Sequence, residues 1–347
     1  MILHYFNPGY ELSAKRRQPH YTPTKPVRQL RHDLATLPIY YAAEGEGVLV
    51  PEDLPMELRT EQMVSRVEAG DRIIPWGAAP EVPGIEYDPD EMRRLASRER
   101  SLELWEKLYE PSLFGPMMLP RRISEESEVP KEGRWVAKLD FSSSGRGVFF
   151  PRSTEELQEM LRRHQELYLE PWLDRVADRG YEFVRHSDGG IDYLGVHLFT
   201  TGQGRYGASL VAPREVVQEQ LRRQLTTPTH EEYVAHLLER LRDYDFHGYT
   251  GLFGIDTVVW MDGDHLRLAP SVEINLRRTM GHVALELSRR YAEPTGRTLL
   301  YEITSPQGLT DLPLYLTDSP LTDAPTLLTP TLPDTRFVAL LRPAPKW

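Results

Sequence analysis

Two adjoining stretches of strand pattern constrain the fold of this chain most. Residues 252–260 and 266–275 both have strand character, and the Met-Asp-Gly-Asp segment at 261–264 is typical of a tight turn. This pattern predicts an antiparallel hairpin. Further strands are predicted upstream of it at 181–185, 193–200 and 208–212.

The second strand of this hairpin carries polar residues in alternation. Period-two alternation places Glu273, Asn275 and Arg277 on one face. Asp256 in the sister strand lies within about two residues of facing Glu273. Two carboxylates and an amide oxygen suit Mg²⁺ held jointly with substrate phosphates, and Arg277 could hold a phosphate or a carboxylate. By itself, the pattern is equally compatible with a solvated acidic strand face.

A lysine followed by a Ser- and Gly-rich turn is the second feature. The strand at 135–139 contains Lys138, and the run Ser-Ser-Ser-Gly-Arg-Gly at 142–147 precedes another strand at 148–150. A lysine beside a loop of backbone N–H groups and hydroxyls can cradle phosphate. An ordinary exposed strand end would have the same pattern.

The segment Leu-Tyr-Leu-Glu-Pro-Trp-Leu at 167–173 is the third feature. It follows a helix that Ser153 and Glu156 begin as a capping box. We expect this helix to end near 168–171, because proline cannot continue it. A short apolar connection of this kind can offer backbone groups to a purine edge, although a buried linker would have the same composition.

Taken in order along the chain, the three features resemble the ATP-grasp superfamily over roughly residues 95–295. The resemblance implies a mixed α+β or α/β fold, in which ATP lies between two lobes of antiparallel sheet and a small α/β domain precedes them. The implied segments are the N-terminal α/β domain at 1–95, a small lobe at 96–170, a large lobe at 171–302 and a Thr- and Pro-rich extension at 303–347. Residues 303–334 are rich in Thr and Pro, and we expect them to be extended and to drape over the surface. Strands in the first domain are predicted at 2–6, 39–43, 47–50 and 72–76.

The resemblance also implies roles for individual residues. Lys138 matches the strand lysine that contacts the α- and β-phosphates. Arg277 matches the arginine that follows the metal ligands. The Mg²⁺ ligands correspond to Asp256, Glu273 and Asn275. The other nucleotide contacts correspond to the phosphate loop (Ser143, Ser144, Gly145 and Gly147), the adenine hinge (Glu170 and Leu173) and a ribose-side or loop-anchoring acid (Glu182).

Two features depart from the family pattern. The separation between Asp256 and Glu273 is a few residues longer than usual, which a hairpin extended on both strands would explain. The family also has a second cationic side chain that binds phosphate, upstream of the strand lysine, and no lysine in this chain clearly matches it. Arg98 or Arg100 would have to serve instead.

The resemblance implies an ATP- and Mg²⁺-dependent ligase that activates a carboxylate as an acyl phosphate and joins it to an amine, with an amino acid or peptide as substrate. Arg277 and Lys138 would be catalytic, and Arg185, Arg205 and Arg277 would border the substrate. Taken singly, a substrate-side arginine such as Arg185 or Arg205 is equally explained as solvated surface. A phosphotransferase on the same fold and a nucleotide-binding regulatory protein with lapsed catalysis are the alternatives. The lysine and the metal-ligand residues of the family pattern are all present, which argues against a loss of catalysis.

The composition excludes several classes of protein and of binding site. The chain has 41 Lys and Arg against 52 Asp and Glu, a net charge of −11 that disfavours non-specific nucleic-acid binding. The absence of cysteine excludes disulfides and thiolate metal sites, and it fits a reducing compartment. No apolar stretch approaches the roughly 18 residues of a membrane span. We therefore expect a cytoplasmic protein that acts on small molecules, with homodimer formation left open.

Overall fold

Two units make up the fold, and each draws on separate parts of the sequence. The computed structural model describes residues 1–16, 22–77, 82, 84, 88–141, 147–202, 205–309, 312, 314 and 325–344. The first unit contains Met1–Met92, Gly207–Gln218 and Arg277–Trp347. The second unit contains Arg93–Tyr206 and Glu219–Leu276.

The helices and strands are numbered in chain order. The strands are β1 Ile2–Tyr5, β2 Gly47–Leu49, β3 Met63–Val64, β4 Arg72–Pro75, β5 Arg121–Ile123, β6 Trp135–Lys138, β7 Val148–Phe149, β8 Leu167–Pro171, β9 Asp174–Arg185, β10 Ile191–Gly202, β11 Arg205–Val211, β12 Gly251–Asp262, β13 His265–Leu268, β14 Glu273–Asn275, β15 Leu299–Thr304, β16 Thr326–Leu327 and β17 Val338–Pro343. The α-helices are α1 Glu11–Arg16, α2 Lys25–Asp33, α3 Pro89–Ala96, α4 Glu99–Leu108, α5 Pro111–Phe114, α6 Thr154–His164, α7 Arg214–Arg223, α8 His230–Leu241, α9 Met280–Leu287 and α10 Glu293–Thr295.

A small parallel sheet in the order β3-β2-β1-β4 forms the N-terminal part of the first unit. The strand predictions at 2–6, 47–50 and 72–76 are confirmed to within a residue. The strand prediction at 39–43 is wrong, because Leu37–Tyr40 forms a 3₁₀-helix with proline in its first turn. All four residues of that helix are buried, and a short run that is apolar on every side does not distinguish a strand from a helix.

The C-terminal residues of the first unit form part of its core. β11, β15, β17 and β16 pair in that order as antiparallel strands. Leu327 and Leu340 are 2% and 3% exposed, and the Tyr40 hydroxyl donates to the Leu328 carbonyl at 2.7 Å. The prediction that residues 303–334 drape over the surface is therefore wrong for 326–330, which are all buried. The apolar residues of this segment are buried because they complete a sheet.

The second unit contains a small antiparallel sheet in the order β5-β8-β6-β7. Helix α6 packs on one face of it, with Leu157 and Leu161 among the buried core residues. The Ser153 hydroxyl accepts from the Glu156 N–H, as the capping box predicts. The helix ends at His164, earlier than predicted, because Gln165 takes a left-handed conformation and the following residues extend as β8.

A larger antiparallel sheet of the second unit contains the strands β13-β12-β9-β10, with β14 also pairing with β12. The hairpin predicted around 261–264 is confirmed, since Asp262 faces His265 across the turn. Among the described residues, no helix is both long and apolar enough to cross a membrane.

Candidate functional site

Lys138 lies at the end of β6, buried inside the second unit. Its side chain is 7% exposed, and its Nζ donates to Glu170 Oε1 on the neighbouring strand at 2.5 Å. Burial lowers the pKa of Lys138; Glu170 and Glu273 oppose this shift, and Arg98 adds to it. The charged ammonium therefore depends on nearby anions, and a phosphate placed beside it would also stabilise its charge.

Arg98 connects the end of β6 with β14. Its backbone N–H donates to Asp140 Oδ1 at 2.8 Å, and its Nε donates to the Leu139 carbonyl at 2.9 Å. Its Nη1 forms an ion pair with Glu273 Oε1 at 3.2 Å. Arg100 instead pairs with Glu103 and contacts His247. Of the two arginines considered from the sequence, Arg98 is the one beside the predicted lysine and metal ligands.

The three predicted metal ligands are brought together by the pairing of β12 with β14. Asp256 lies directly opposite Glu273, and Gly254 lies opposite Asn275. The Asn275 amide Nδ2 donates to Asp256 Oδ2 at 3.2 Å. This arrangement leaves two carboxylates and an amide oxygen on one face of the sheet, a donor set that fits a hard cation such as Mg²⁺.

A shift of register explains the long separation between Asp256 and Glu273. If the β12–β13 pairing continued unbroken, Ser271 would lie opposite Asp256; two extra residues in the connection bring Glu273 there instead. The Val272 N–H still donates to the Asp256 carbonyl at 2.7 Å, so the connection stays attached to β12. The two extra residues therefore account for part of the separation, and the paired β12–β13 hairpin beyond them accounts for the rest.

No cluster of three or more His, Asp or Glu side chains suited to a metal occurs in the described part of the chain. The predicted set contains only two carboxylates, Asp256 and Glu273, and its third member is the amide of Asn275. If the set holds Mg²⁺, it leaves coordination positions for other oxygens, as is typical of Mg²⁺ bound together with a nucleotide.

Glu182 lies on β9 next to this group and is fully buried. His197 Nε2 is 3.2 Å from Glu182 Oε1. The His197 ring lies directly over Gly180, where any Cβ would overlap it, and it stacks on Phe199 at 5.0 Å. Of the two roles considered for Glu182, this burial favours anchoring over an open contact with ribose.

Glycines alternate with acids across the sheet beside the predicted ligands. Gly180 lies opposite Asp256, and Glu182 lies opposite Gly254 on one side and Gly195 on the other. The absence of a side chain at Gly180 makes room for the His197 ring, which contacts Glu182.

Other predicted residues are not brought to this face. Arg185 is three residues from Glu182 and lies on the opposite face of β9, where Nη1 donates to the Tyr249 carbonyl at 2.5 Å and the guanidinium stacks on Phe246. The side chain of Arg205 and the loop residues Ser143, Ser144 and Gly145 lie outside the described residues.

The two remaining members of the predicted nucleotide set belong to connections. Gly147 closes the loop after β6, where its carbonyl accepts from the Leu139 N–H at 2.8 Å. Leu173 is half-buried and connects β8 to β9. Their proposed contacts with phosphate and adenine remain predictions.

Arg277 belongs to the first unit and contacts a residue that the sequence did not indicate. Its Nε donates to Glu11 Oε1 at 2.9 Å, and its Nη1 donates to the Arg278 carbonyl at 3.2 Å. Glu11 and Arg277 are 266 positions apart. No local spacing pattern predicts a pair at this separation.

Comparison with solved structures identifies the fold. N5-carboxyaminoimidazole synthetase from Staphylococcus aureus, complexed with ADP, aligns over 99% of this chain and 93% of its own, with a TM-score of 0.51 and 11% identity. The biotin carboxylase domain of 2-oxoglutarate carboxylase from Hydrogenobacter thermophilus aligns over 79% of this chain, with a TM-score of 0.47 and 15% identity; this chain spans 65% of that one. Carboxyaminoimidazole ribonucleotide synthase from Aspergillus clavatus, complexed with ATP, aligns over 76% of this chain and 72% of its own, with a TM-score of 0.46 and 13% identity.

No family model matches the sequence, and no curated protein matches it significantly. The structural likeness at 11% identity therefore identifies the fold and nothing finer. The chain has the fold of the ATP-grasp superfamily, with antiparallel sheets and a small parallel-sheet N-terminal part.

Proposed function

We propose that this protein is an ATP- and Mg²⁺-dependent ligase that activates a carboxylate as an acyl phosphate and joins it to an amine. The observation that carries the proposal is the register of β12 and β14, which sets Asp256 opposite Glu273 and beside Asn275. The buried Lys138 ammonium is close enough to Glu273 for the carboxylate to act on its pKa. Oxygen ligands and a buried cation in one place are what binding of a metal-nucleotide requires.

In this proposal the nucleotide binds in the second unit. Lys138 and Arg98 bind phosphate oxygens, while the segment containing Glu170 and Leu173 receives adenine. The S. aureus structure of the same fold was solved with ADP, which supports an adenine nucleotide here. The present partners of both cations are carboxylates, Glu170 and Glu273, and phosphate oxygens would take a similar place beside them.

Asp256, Glu273 and Asn275 would hold Mg²⁺ through their oxygens. When bound, the ion neutralises charge on the nucleotide phosphates and on the phosphoryl group in transfer. The chain's own contribution is to fix these three side chains. The β12–β14 pairing sets their spacing, and the Asn275–Asp256 hydrogen bond orients the amide.

The proposed reaction has two displacements. A carboxylate oxygen of the substrate attacks the γ-phosphorus, and ADP leaves with the electron pair of the broken bond. The amine nitrogen then attacks the acyl carbon, phosphate leaves, and the nitrogen gives up a proton. Lys138 stabilises negative charge on the transferring group, so catalysis relies on positioning and electrostatics; a catalytic role for Arg277 rests on the resemblance alone.

Nucleotide binding is the first test. We expect ATP and ADP, but not GTP or NAD⁺, to raise the melting temperature, with a larger rise when Mg²⁺ is present. Ligand at a hundredfold excess over Kd stabilises the native state by about 2.7 kcal/mol, which a thermal-shift assay resolves. The absence of any shift would contradict the proposal.

Glu273→Gln tests the metal assignment. The variant keeps the size of the side chain and removes its charge, so we expect the Mg²⁺-dependent part of the shift to disappear while the metal-free part remains. Glu126→Gln is the matched control, because Glu126 also pairs with an arginine, Arg162, at 3.1 Å but lies exposed. Retention of the full Mg²⁺ effect in Glu273→Gln would refute the assignment.

Product analysis separates a ligase from a phosphotransferase. Amino acids and small carboxylates are screened in pairs with amines for ADP release, and the products are examined by mass spectrometry. A ligase gives ADP, phosphate and a new amide. A stable phosphorylated product would assign phosphoryl transfer instead.

A further inference from the structure

A groove at one end of the small antiparallel sheet of the second unit has no role in the proposed reaction. It lies where β6 begins, β8 ends and α6 begins, and its volume is about 500 Å³. Pockets that hold small molecules commonly have volumes of about 300–1,000 Å³. Trp135, which lines the groove, and Lys138 are at opposite ends of β6, about 10 Å apart at the rise of a strand. The groove is therefore separate from the predicted phosphate contacts.

Two exposed aromatic rings form a corner in this groove. Phe150 and Trp172 are 41% and 37% exposed, their ring centroids are 5.5 Å apart, and their planes meet at 81°. A planar ring placed in such a corner can stack on one of them and form an edge-to-face contact with the other. Large apolar side chains that are exposed and also touch one another are typical of binding sites.

Strand pairing fixes the position of Trp172. Trp135 lies opposite Pro171, and the Trp172 N–H donates to the Arg134 carbonyl at 2.8 Å, so the pairing of β6 with β8 continues by one residue. Arg134 and Trp172 therefore lie side by side on one face, where the guanidinium stacks on the indole ring at 4.3 Å from its centroid. An arginine stacked in this way keeps its in-plane N–H donors for an anion.

Three cations border the groove without a carboxylate partner. Lys131, Arg134 and Arg152 are exposed, and none of them forms an ion pair with a residue that the structure describes. Glu132 is the one acidic residue among the described residues that line the groove. In a chain with a net charge of −11, this local excess of positive charge favours an anionic ligand by charge complementarity.

We infer that this groove binds a small molecule that carries a planar aromatic ring and an anionic group. The ring stacks in the corner formed by Phe150 and Trp172. The cations Lys131, Arg134 and Arg152 bind the anionic group. The volume of the groove suits one such molecule, and the acidic chain as a whole disfavours a nucleic acid. None of these five residues is assigned to the nucleotide or the metal, so this binding is independent of the proposed function.

Cinnamate, titrated calorimetrically into the protein, is the probe. Cinnamyl alcohol is its neutral counterpart, and cyclohexanepropionate is its non-aromatic counterpart. We expect cinnamate to bind about five- to tenfold more tightly than either, because each counterpart lacks one of the two kinds of contact. Equal affinity for cinnamate and either counterpart would overturn the inference, as would the absence of cinnamate binding.

Substitutions test whether cinnamate binds in this groove. Trp172→Ala should weaken its binding by about tenfold, whereas Trp172→Phe keeps a ring and should retain most of the affinity. Arg152→Gln, at an exposed position, should weaken it by about three- to tenfold, because a charged contact is lost. Arg222→Gln is the matched control: Arg222 is also exposed in the second unit but already pairs with Glu219 at 3.0 Å, so the affinity should not change. Wild-type affinity in both Trp172→Ala and Arg152→Gln would overturn the inference.

Competition with nucleotide separates the groove from the proposed nucleotide site. MgADP should leave the affinity for cinnamate unchanged, because neither Lys138 nor Glu170 is among the described residues that line the groove. Displacement of cinnamate by MgADP would overturn the inference, since the groove would then belong to the nucleotide site. If the protein binds cinnamate in this groove but binds no nucleotide, the proposed function fails and the inference stands.

Discussion

His230 should make the protein sensitive to acid. It is the first residue of α8, is 8% exposed, and stacks on Tyr181 with ring centroids 5.7 Å apart. Burial lowers the pKa of His230 from 6.5 to about 4; the charge of Arg179 adds to the shift and Glu231 opposes it. Between these two values the unfolded chain binds a proton that the folded protein does not, so stability falls as the pH falls.

The size of this effect follows from the pKa shift. A change from 6.5 to about 4 corresponds to about 3 kcal/mol of stability that is present near pH 7 and lost by about pH 4. His230→Gln removes the titrating group, so the difference in unfolding free energy between wild type and variant should change by about that amount over this range. Urea denaturation at half-unit pH intervals measures it, with His265→Gln at an exposed position as the control. A difference that stays constant from pH 7 to pH 4 would refute the reasoning.

Two further substitutions test packing beside the site and in the first unit. Gly180→Ala should displace the His197 ring, break its contact with Glu182 and lower the free energy of unfolding by about 1–3 kcal/mol in urea denaturation. Gly202→Ala is the control and should be nearly neutral, because a Cβ there meets nothing within 4 Å. Equal effects of the two substitutions would contradict the close packing described at Gly180. Tyr40→Phe should cost about 1–2 kcal/mol because the buried Leu328 carbonyl loses its donor, and an unchanged midpoint would argue that this hydrogen bond contributes nothing.

The sequence predicted the parts of the site that local patterns encode. Alternation was enough to place Glu273 and Asn275 on one face, and the turn at 261–264 placed Asp256 within about two residues of facing Glu273. The strand that contains Lys138 and the cap at Ser153 are likewise local features, and both are confirmed. The side-chain roles assigned to these residues remain proposals.

Features that depend on distant contacts could not be predicted in this way. Glu11 meets Arg277 only because the fold brings together segments 266 positions apart. The register shift between β13 and β14 depends on how the connection at 269–272 follows β12. Arg185 is a different case: the odd spacing from Glu182 already placed it on the other face, and the same alternation rule would have excluded it.

The assembly of the first unit from three chain segments has a consequence for how the protein folds during synthesis. Its core combines residues such as Phe6 and Tyr40 with Tyr301, Leu328 and Leu341. The N-terminal strands therefore leave the ribosome long before the residues that cover their apolar faces are made. At about 5–20 residues per second, the interval is tens of seconds, during which this surface depends on chaperones or on transient contacts to avoid aggregation.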